Sequence, residues 1–136
     1  MKKLFCLLLA SGMTCVYAEK LKSFNEIYNS LQNGKNIRLL INLDSCLPKP
    51  EFPNIVIYTT PAAIIIQKDH LQFANSHLTT NNPEFQKKLI IENVTYRITN
   101  NDEVNITTRI ISLPDYALAK ESTLTCSLKT AVKVFN

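Results

Sequence analysis

The sequence has no tryptophan and only 2 glycines and 2 histidines among its 136 residues. Gly34 is the only glycine after residue 12, which nearly excludes a glycine-rich loop that cradles phosphate. The motifs of P-loop nucleotide-binding proteins, of hydrolases with a nucleophile elbow and of zinc metalloproteases do not occur. We therefore expect no cofactor, and the sequence assigns no metal ligands.

Clustered charge is equally scarce. No block of five like charges occurs, and Lys87-Lys88 is the only pair of adjacent basic residues beyond the N-terminal segment. Such a chain lacks the basic footprint of nucleic-acid-binding proteins, so no nucleic-acid partner is expected. With 46% hydrophobic and 19% charged residues, the composition predicts one soluble globular domain.

The N-terminal segment predicts export. Met1-Lys2-Lys3 is a short basic start, Leu4 to Ala10 is an apolar run, and Val16-Tyr17-Ala18 resembles a signal-peptidase cleavage site. The apolar run is far shorter than the roughly 20 residues of a membrane-spanning helix. We expect residues 1–18 to be a signal peptide and residues 19–136 to be a single domain, periplasmic or secreted, without an integral membrane segment after processing. The alternatives are a buried N-terminal helix and a lipid-modified cysteine.

Processing would leave two cysteines, Cys46 and Cys126, and a net charge of +2. An even number of cysteines in an oxidising compartment predicts one disulfide. The bridge would close a loop of 80 residues, which the chain-entropy model values at roughly 4–5 kcal/mol. A zinc pair and a catalytic thiol are the alternatives, although neither His70 nor His77 lies at zinc-finger spacing from a cysteine.

Residue periodicity predicts one helix followed by strands. Ser23-x-x-Glu26 has the form of a capping box, and apolar residues then recur at helical spacing as far as Leu31. Gly34 lies where a helix C-terminus favours a left-handed residue, so the helix should cover about residues 23–33. The strands predicted after it lie at 37–43, 55–58, 62–67, 71–73, 89–99, 103–112, 123–127 and 131–135.

Two hairpins can be aligned from alternation alone. Pairing Ile66 with Leu71 across a two-residue turn places four large apolar side chains on one face. Pairing Ile98 with Val104 does the same for the next two strands and leaves a three-residue loop at 100–102. Asn and Asp, which form that loop, tolerate the left-handed backbone conformation that it needs.

The two last strands, Thr123 to Ser127 and Ala131 to Phe135, are expected to form a closing hairpin. The predicted fold class is therefore α+β. One N-terminal helix would pack on a mainly antiparallel, curled sheet of seven to eight short strands, with a barrel-like form possible. The disulfide would join the end of the first strand to the penultimate strand.

One polar segment is a candidate for function. Residues 75–83 are predicted to form a donor-rich loop between two strands, and binding residues concentrate on such loops; a merely solvated connection is the alternative. No catalytic residue is assigned, and the candidate binding residues are Asn75, Ser76, His77, Tyr96 and Arg97. A hydrolase triad is a further alternative that no spacing supports, and it would be drawn from Ser45 or Ser76, His77, and Asp44 or Asp115.

The order of several stretches along the chain is also informative. They are Ser23-Phe24-Asn25-Glu26-Ile27, Gly34-Lys35-Asn36-Ile37, Ile41-Asn42-Leu43-Asp44-Ser45-Cys46, Phe73-Ala74-Asn75-Ser76-His77, Tyr96-Arg97-Ile98, Thr125-Cys126-Ser127-Leu128 and Val132-Lys133-Val134-Phe135. In this order they resemble the VirK family of exported bacterial proteins. The resemblance implies a small secreted or periplasmic protein associated with virulence, and it supplies no catalytic residues.

We therefore expect an exported, virulence-associated and non-enzymatic protein. It would bind a protein or a small ligand through its sheet or through residues 75–83. A periplasmic accessory protein for envelope or secretion-system assembly is one alternative, and a small hydrolase with a site near His77 is the other.

Overall fold

The computed structural model describes residues 18–51 and 53–136, so the predicted signal peptide lies outside the described residues except for Ala18. Within these residues the chain forms one α-helix and nine β-strands. The helix α1 is Phe24–Gln32. The strands are β1 Lys20–Leu21, β2 Arg38–Asn42, β3 Val56–Thr59, β4 Ile65–Ile66, β5 His70–Thr79, β6 Ile90–Thr99, β7 Glu103–Ser112, β8 Leu118–Ser127 and β9 Val132–Phe135.

The helix begins and ends where capping chemistry predicts. The Ser23 side chain accepts a hydrogen bond from the backbone N–H of Glu26 at 3.3 Å. Gly34 has a φ of +75° and donates to the carbonyl of Leu31, as a C-terminal cap requires. The predicted helix is thereby confirmed. No helix among the described residues is long and apolar enough to cross a membrane.

The strands form two antiparallel sheets. The small sheet has the order β1-β9-β2-β3, and the large sheet has the order β4-β5-β6-β7-β8. Four strands of the large sheet are 10 residues long, whereas those of the small sheet have 2 to 5. At 3.3 Å per residue these lengths correspond to about 33 Å and at most about 17 Å. The large sheet is therefore much longer than the sheet that packs on it.

One hydrophobic core lies between the two sheets and the helix. Ile27 of α1, Leu39 of the small sheet and Ile98 of the large sheet are fully buried in it. The predicted disulfide is confirmed, with the Cα atoms of Cys46 and Cys126 4.4 Å apart. It joins the segment after β2 to β8 and so connects the two sheets.

Both predicted hairpin registers are confirmed. Ile66 pairs with Leu71, and Ile98 pairs with Val104. Asp102, in the second hairpin loop, has a φ of +65°, so it adopts the left-handed conformation that the sequence led us to expect.

The predicted fold class is wrong. The chain is mostly β, with two antiparallel sheets that are neither closed nor curled, instead of one helix on a single curled sheet of seven to eight strands. The error arises at the predicted closing hairpin, because β8 pairs with β7 whereas β9 pairs with β1 and β2. Alternation of apolar and polar residues shows which face of β9 is buried. It does not show which strand β9 pairs with, since both sheets have an apolar face.

The predicted loop at 75–83 is wrong in its first half. Strand β5 continues to Thr79 and pairs with β6 at ten consecutive positions. Asn has a low strand propensity, but cross-strand packing overrides such preferences. The connection between the two strands is therefore limited to residues 80–89.

Candidate functional site

The inner face of the large sheet, which is the face towards the core, is apolar at one end and carries charged side chains at the other. Near the hairpin loop at 100–102 this face carries the fully buried side chains of Ile98 and Val104. At the other end the same face presents Glu92 of β6 and Lys120 of β8, which lie in register on either side of Ile110. The strands of the small sheet are too short to cover both ends, so connecting segments flank the far end instead.

A groove of about 430 Å³ occupies this far end. Its walls are the inner face of β6, β7 and β8, the small-sheet side of the core, and the segments at 48–51 and 82–84. Most of its lining is apolar and includes Leu43, Ile55, Ile57, Val94, Ile110 and Leu124. The volume falls within the roughly 300–1,000 Å³ that is typical of small-ligand sites.

Lys120 stands at the mouth of the groove and connects its two covering segments. Its Nζ lies 2.5 Å from Glu84 Oε2 and 3.0 Å from Glu51 Oε2. The hydrogen bond to Glu84, followed by the one to Glu51, raises the pKa of the Lys120 ammonium. One cation between two carboxylates leaves this part of the rim with a net negative charge.

Glu92 is the second charged group of the groove. Its Oε2 lies 2.9 Å from Nε2 of His77 on the neighbouring strand, and Asn82 Nδ2 donates to its other oxygen. The Asn82 side chain also accepts the backbone N–H of Glu84 at 2.9 Å, which orders the segment between β5 and β6. The described residues include no group of three or more His, Cys, Asp or Glu side chains suited to a metal ion.

The segment between β2 and β3 is fixed at both ends. Leu47 exchanges two backbone hydrogen bonds with Thr125 of β8, at 2.8 and 2.6 Å. The carboxylate of Asp44 accepts the backbone N–H of Asn54 at 2.9 and 3.0 Å. Between the Leu47 bridge and the Glu51 ion pair, this proline-containing segment runs beside the edge of β8, where prolines discourage pairing with another strand. These hydrogen bonds and the Glu51 ion pair therefore hold this wall of the groove in place.

The predicted binding residues do not form one cluster, and two of them lie on the inner face of β5. Asn75 Nδ2 donates to Thr59 Oγ1 of the small sheet at 2.5 Å, and His77 contacts Glu92 at the groove. Ser76 lies between them and points to the opposite face, because successive side chains of a strand alternate.

The other two predicted residues, Tyr96 and Arg97, are also on opposite faces. Tyr96 is buried and stacks on Phe73 with ring centroids 4.7 Å apart, and this burial raises the pKa of its hydroxyl. Arg97 is exposed on the outer face of the large sheet. Tyr96 is therefore part of the core, and Arg97 is remote from the groove.

Among the described residues, no hydrogen bond joins His77 to the other residues of the hydrolase alternative, which are Ser45, Ser76, Asp44 and Asp115. Ser76 and His77 point to opposite faces of β5. Asp44 is engaged by the backbone of Asn54, and Asp115 accepts a hydrogen bond from Ser112 Oγ at 2.9 Å.

The groove was not predicted from the sequence, although a signal for it was present. Apolar residues occupy every second position from 90 to 98 except Glu92, and every second position from 104 to 110 except Thr108. A charged or hydroxyl side chain at an otherwise apolar position indicates a local opening in the covering of the sheet face, here the groove, since Ile90 and Ile110 on the same face stay buried. Glu51, Glu84 and Lys120 gave no comparable signal, because the fold alone brings them together.

In the part of the chain that the structure describes, the fold and the groove define a small two-sheet β protein with one disulfide and one open inner face. The VirK protein family matches residues 20–116 of the chain. This match covers more than half of the sequence, and the protein therefore belongs to the VirK family.

A solved relative has the same architecture. The crystal structure of a VirK family protein from Legionella pneumophila is similar, with a TM-score of 0.80 and 21% sequence identity. The similarity covers 86% of this chain and 98% of that chain, and at this identity it shows the fold alone. No match was found among curated protein sequences.

Proposed function

We propose that this VirK family member is an exported, virulence-associated binding protein without enzymatic activity, and that it holds a partner in the groove between its sheets. The observation that carries the proposal is an apolar groove bordered by charged side chains at the end of the large sheet that lies away from the hairpin loop at 100–102. Its charged groups Glu92 and Lys120 are both engaged by neighbouring side chains. They therefore serve as fixed charges that orient a ligand.

The charge of the groove indicates what it binds. Its lining contains the carboxylates of Glu51, Glu84 and Glu92 but only two cations, Lys49 and Lys120. An apolar surface with an excess of negative charge is complementary to an apolar group that lies beside a positive one. We therefore assign to the groove an extended segment of a partner polypeptide in which an apolar side chain is adjacent to a basic one.

A binding assay tests this assignment. Two labelled peptides, Leu-Lys-Leu-Lys and Leu-Glu-Leu-Glu, would be titrated with the protein and followed by fluorescence anisotropy. The basic peptide should bind and the acidic one should not. Val94→Asn places a polar group in the groove and should weaken binding by about tenfold, or about 1.4 kcal/mol.

The matched control is Thr95→Asn, which makes the same substitution one residue further along β6 on the outer face. It should change the affinity less than about twofold. Equal binding of the two peptides, or equal effects of the two substitutions, would exclude the groove as the binding site.

Export is supported by the basic and apolar N-terminal segment, by the disulfide and by membership of the VirK family, since the resemblance to that family implies an exported protein. Intact mass measured separately in periplasm and culture supernatant tests it. We expect a species that begins at Glu19 and lacks two hydrogens because of the disulfide. An unprocessed mass in either fraction would contradict export, and retention in the periplasm alone would favour an accessory role in envelope assembly.

A further inference from the structure

The outer face of the small sheet carries a second surface, distinct from the groove. Side chains that are paired across antiparallel strands lie on the same face. Phe135 lies between Lys20 and Arg38 across three strands, and Leu40 lies between Lys133 and Tyr58. We call this surface the cationic face; it consists of Lys20, Arg38, Leu40, Tyr58, Lys133 and Phe135.

The cationic face is open to solvent. Its three cations are exposed, and Tyr58 retains 65% of its accessible surface. The alternate residues of the same strands, such as Leu39 and Val134, are buried in the core on the other side. None of the three cations forms an ion pair with a carboxylate of the described residues.

One carboxylate lies near the edge of the face, because Glu19 and Arg38 line the same cavity, but the two side chains form no ion pair. Glu19 continues the pairing of β1 and lies opposite Asn136, so both side chains alternate to the inner side. Asn136 Nδ2 accordingly donates to Ser30 Oγ of α1 at 3.2 Å. The face therefore holds three positive charges, and no carboxylate in the part of the chain that the structure describes pairs with them, while the processed chain as a whole carries only +2.

We propose that the cationic face docks onto the surface of an anionic phospholipid bilayer. Four strands spaced about 4.8 Å apart make a flat surface about 14 Å wide, which suits a planar partner better than a pocketed one. Aromatic and aliphatic groups between cations suit the interface, where apolar parts enter the headgroup region and cations remain beside lipid phosphates. Each basic residue near such a surface strengthens binding by about fivefold.

Flotation with lipid vesicles tests the proposal. The probes are vesicles of phosphatidylcholine alone and vesicles with equal parts of phosphatidylcholine and phosphatidylglycerol. The protein should float only with the anionic vesicles, and binding should fall as salt is added. Lys133→Glu removes one positive charge and adds one negative charge, so it should weaken vesicle binding by roughly thirtyfold.

The matched control is Arg97→Glu, the same change in charge on the outer face of the large sheet, which should bind the vesicles as the unaltered protein does. Equal losses for the two substitutions would overturn the proposal, as would binding to the neutral vesicles. Failure to bind anionic vesicles together with binding to polyglutamate would also overturn it, and would assign the face to an acidic polypeptide. Melting temperatures of both variants show whether each one has folded.

Discussion

The two ends of the large sheet differ although they are parts of the same four long strands. At one end Ile98 and Val104 are fully buried under the small sheet and the helix, and the disulfide fixes the two layers together. At the other end Glu92 and Lys120 occupy the same face beside an open groove. We call these the closed end and the open end.

The two ends differ because the strands of the small sheet are much shorter than the long strands of the large sheet. Strands of 10 residues are paired in one sheet, and strands of 2 to 5 residues pack against them. Beyond the short strands Ile90 and Ile110 stay buried, whereas Glu92 and Lys120 beside the groove are partly exposed, and their charges are tolerated because water reaches them. The closed end should therefore provide most of the stability, and the open end should be available for binding.

The largest expected effect is loss of the bridge at the closed end. Replacing Cys46 and Cys126 together by alanine should lower the free energy of unfolding by about 2–5 kcal/mol, because the 80-residue loop is no longer constrained in the unfolded chain. Urea denaturation measures this loss. A decrease below about 1 kcal/mol would mean that the bridge adds little at the closed end.

A pair of core truncations compares the two ends directly. Ile98→Ala at the closed end should cost about 2–5 kcal/mol, the usual range for a fully buried aliphatic side chain. Leu124→Ala, which removes a half-buried side chain from the groove, should cost less than half as much because water already reaches the site. Equal losses in urea denaturation would show that the open end is packed as tightly as the closed end.

The loss of stability at alkaline pH tests how well Tyr96 is buried at the closed end. Burial raises the pKa of its hydroxyl, so the unfolded chain ionises at about pH 10 while the folded chain still holds the proton. The stabilising effect is complete below pH 10 and is lost as the pH rises towards the higher native value. Tyr96→Phe should reduce this alkaline loss in thermal melts, and an equal loss in the variant and the unaltered protein would contradict the role of Tyr96.

The smallest effect is expected at the rim of the open end. Lys120→Met removes two ion pairs that are partly exposed, and such pairs contribute little to stability. The pKa of Lys120 is raised, so its stabilising effect exists below the ordinary value and is lost as the pH rises above it. Thermal melts at neutral pH should show a slight decrease that Lys133→Met, which removes no ion pair, does not show. Equal melting temperatures for both variants would mean that the two ion pairs of Lys120 do not stabilise the protein.

The sequence predicts what is decided locally. The helix caps at Ser23 and Gly34, and the hairpin registers at Ile66 and Ile98, depend on neighbouring residues or on short turns, and each is confirmed. The disulfide followed from counting the cysteines of a chain that the sequence predicts to be exported.

The sequence does not predict what depends on long-range pairing. The same alternation in β9 fits a hairpin with β8 or insertion between β1 and β2, and only the complete packing of two layers selects the second. The candidate site could not be predicted from the sequence for the same reason. His77 was identified from its polar neighbours, but its partner Glu92 and the Lys120 ion pairs come from strands that only the register brings together.

Mapping a bound ligand onto the two ends of the large sheet tests directly whether the open end is the binding site. The Leu-Lys-Leu-Lys peptide would be added to isotope-labelled protein, and amide chemical shifts would be recorded by NMR. We expect changes at Val94, Ile110 and Leu124, with the amides of Ile98 and Val104 unchanged. Changes confined to the closed end or to the cationic face, or no changes at all, would contradict the claim that the open end is the binding site.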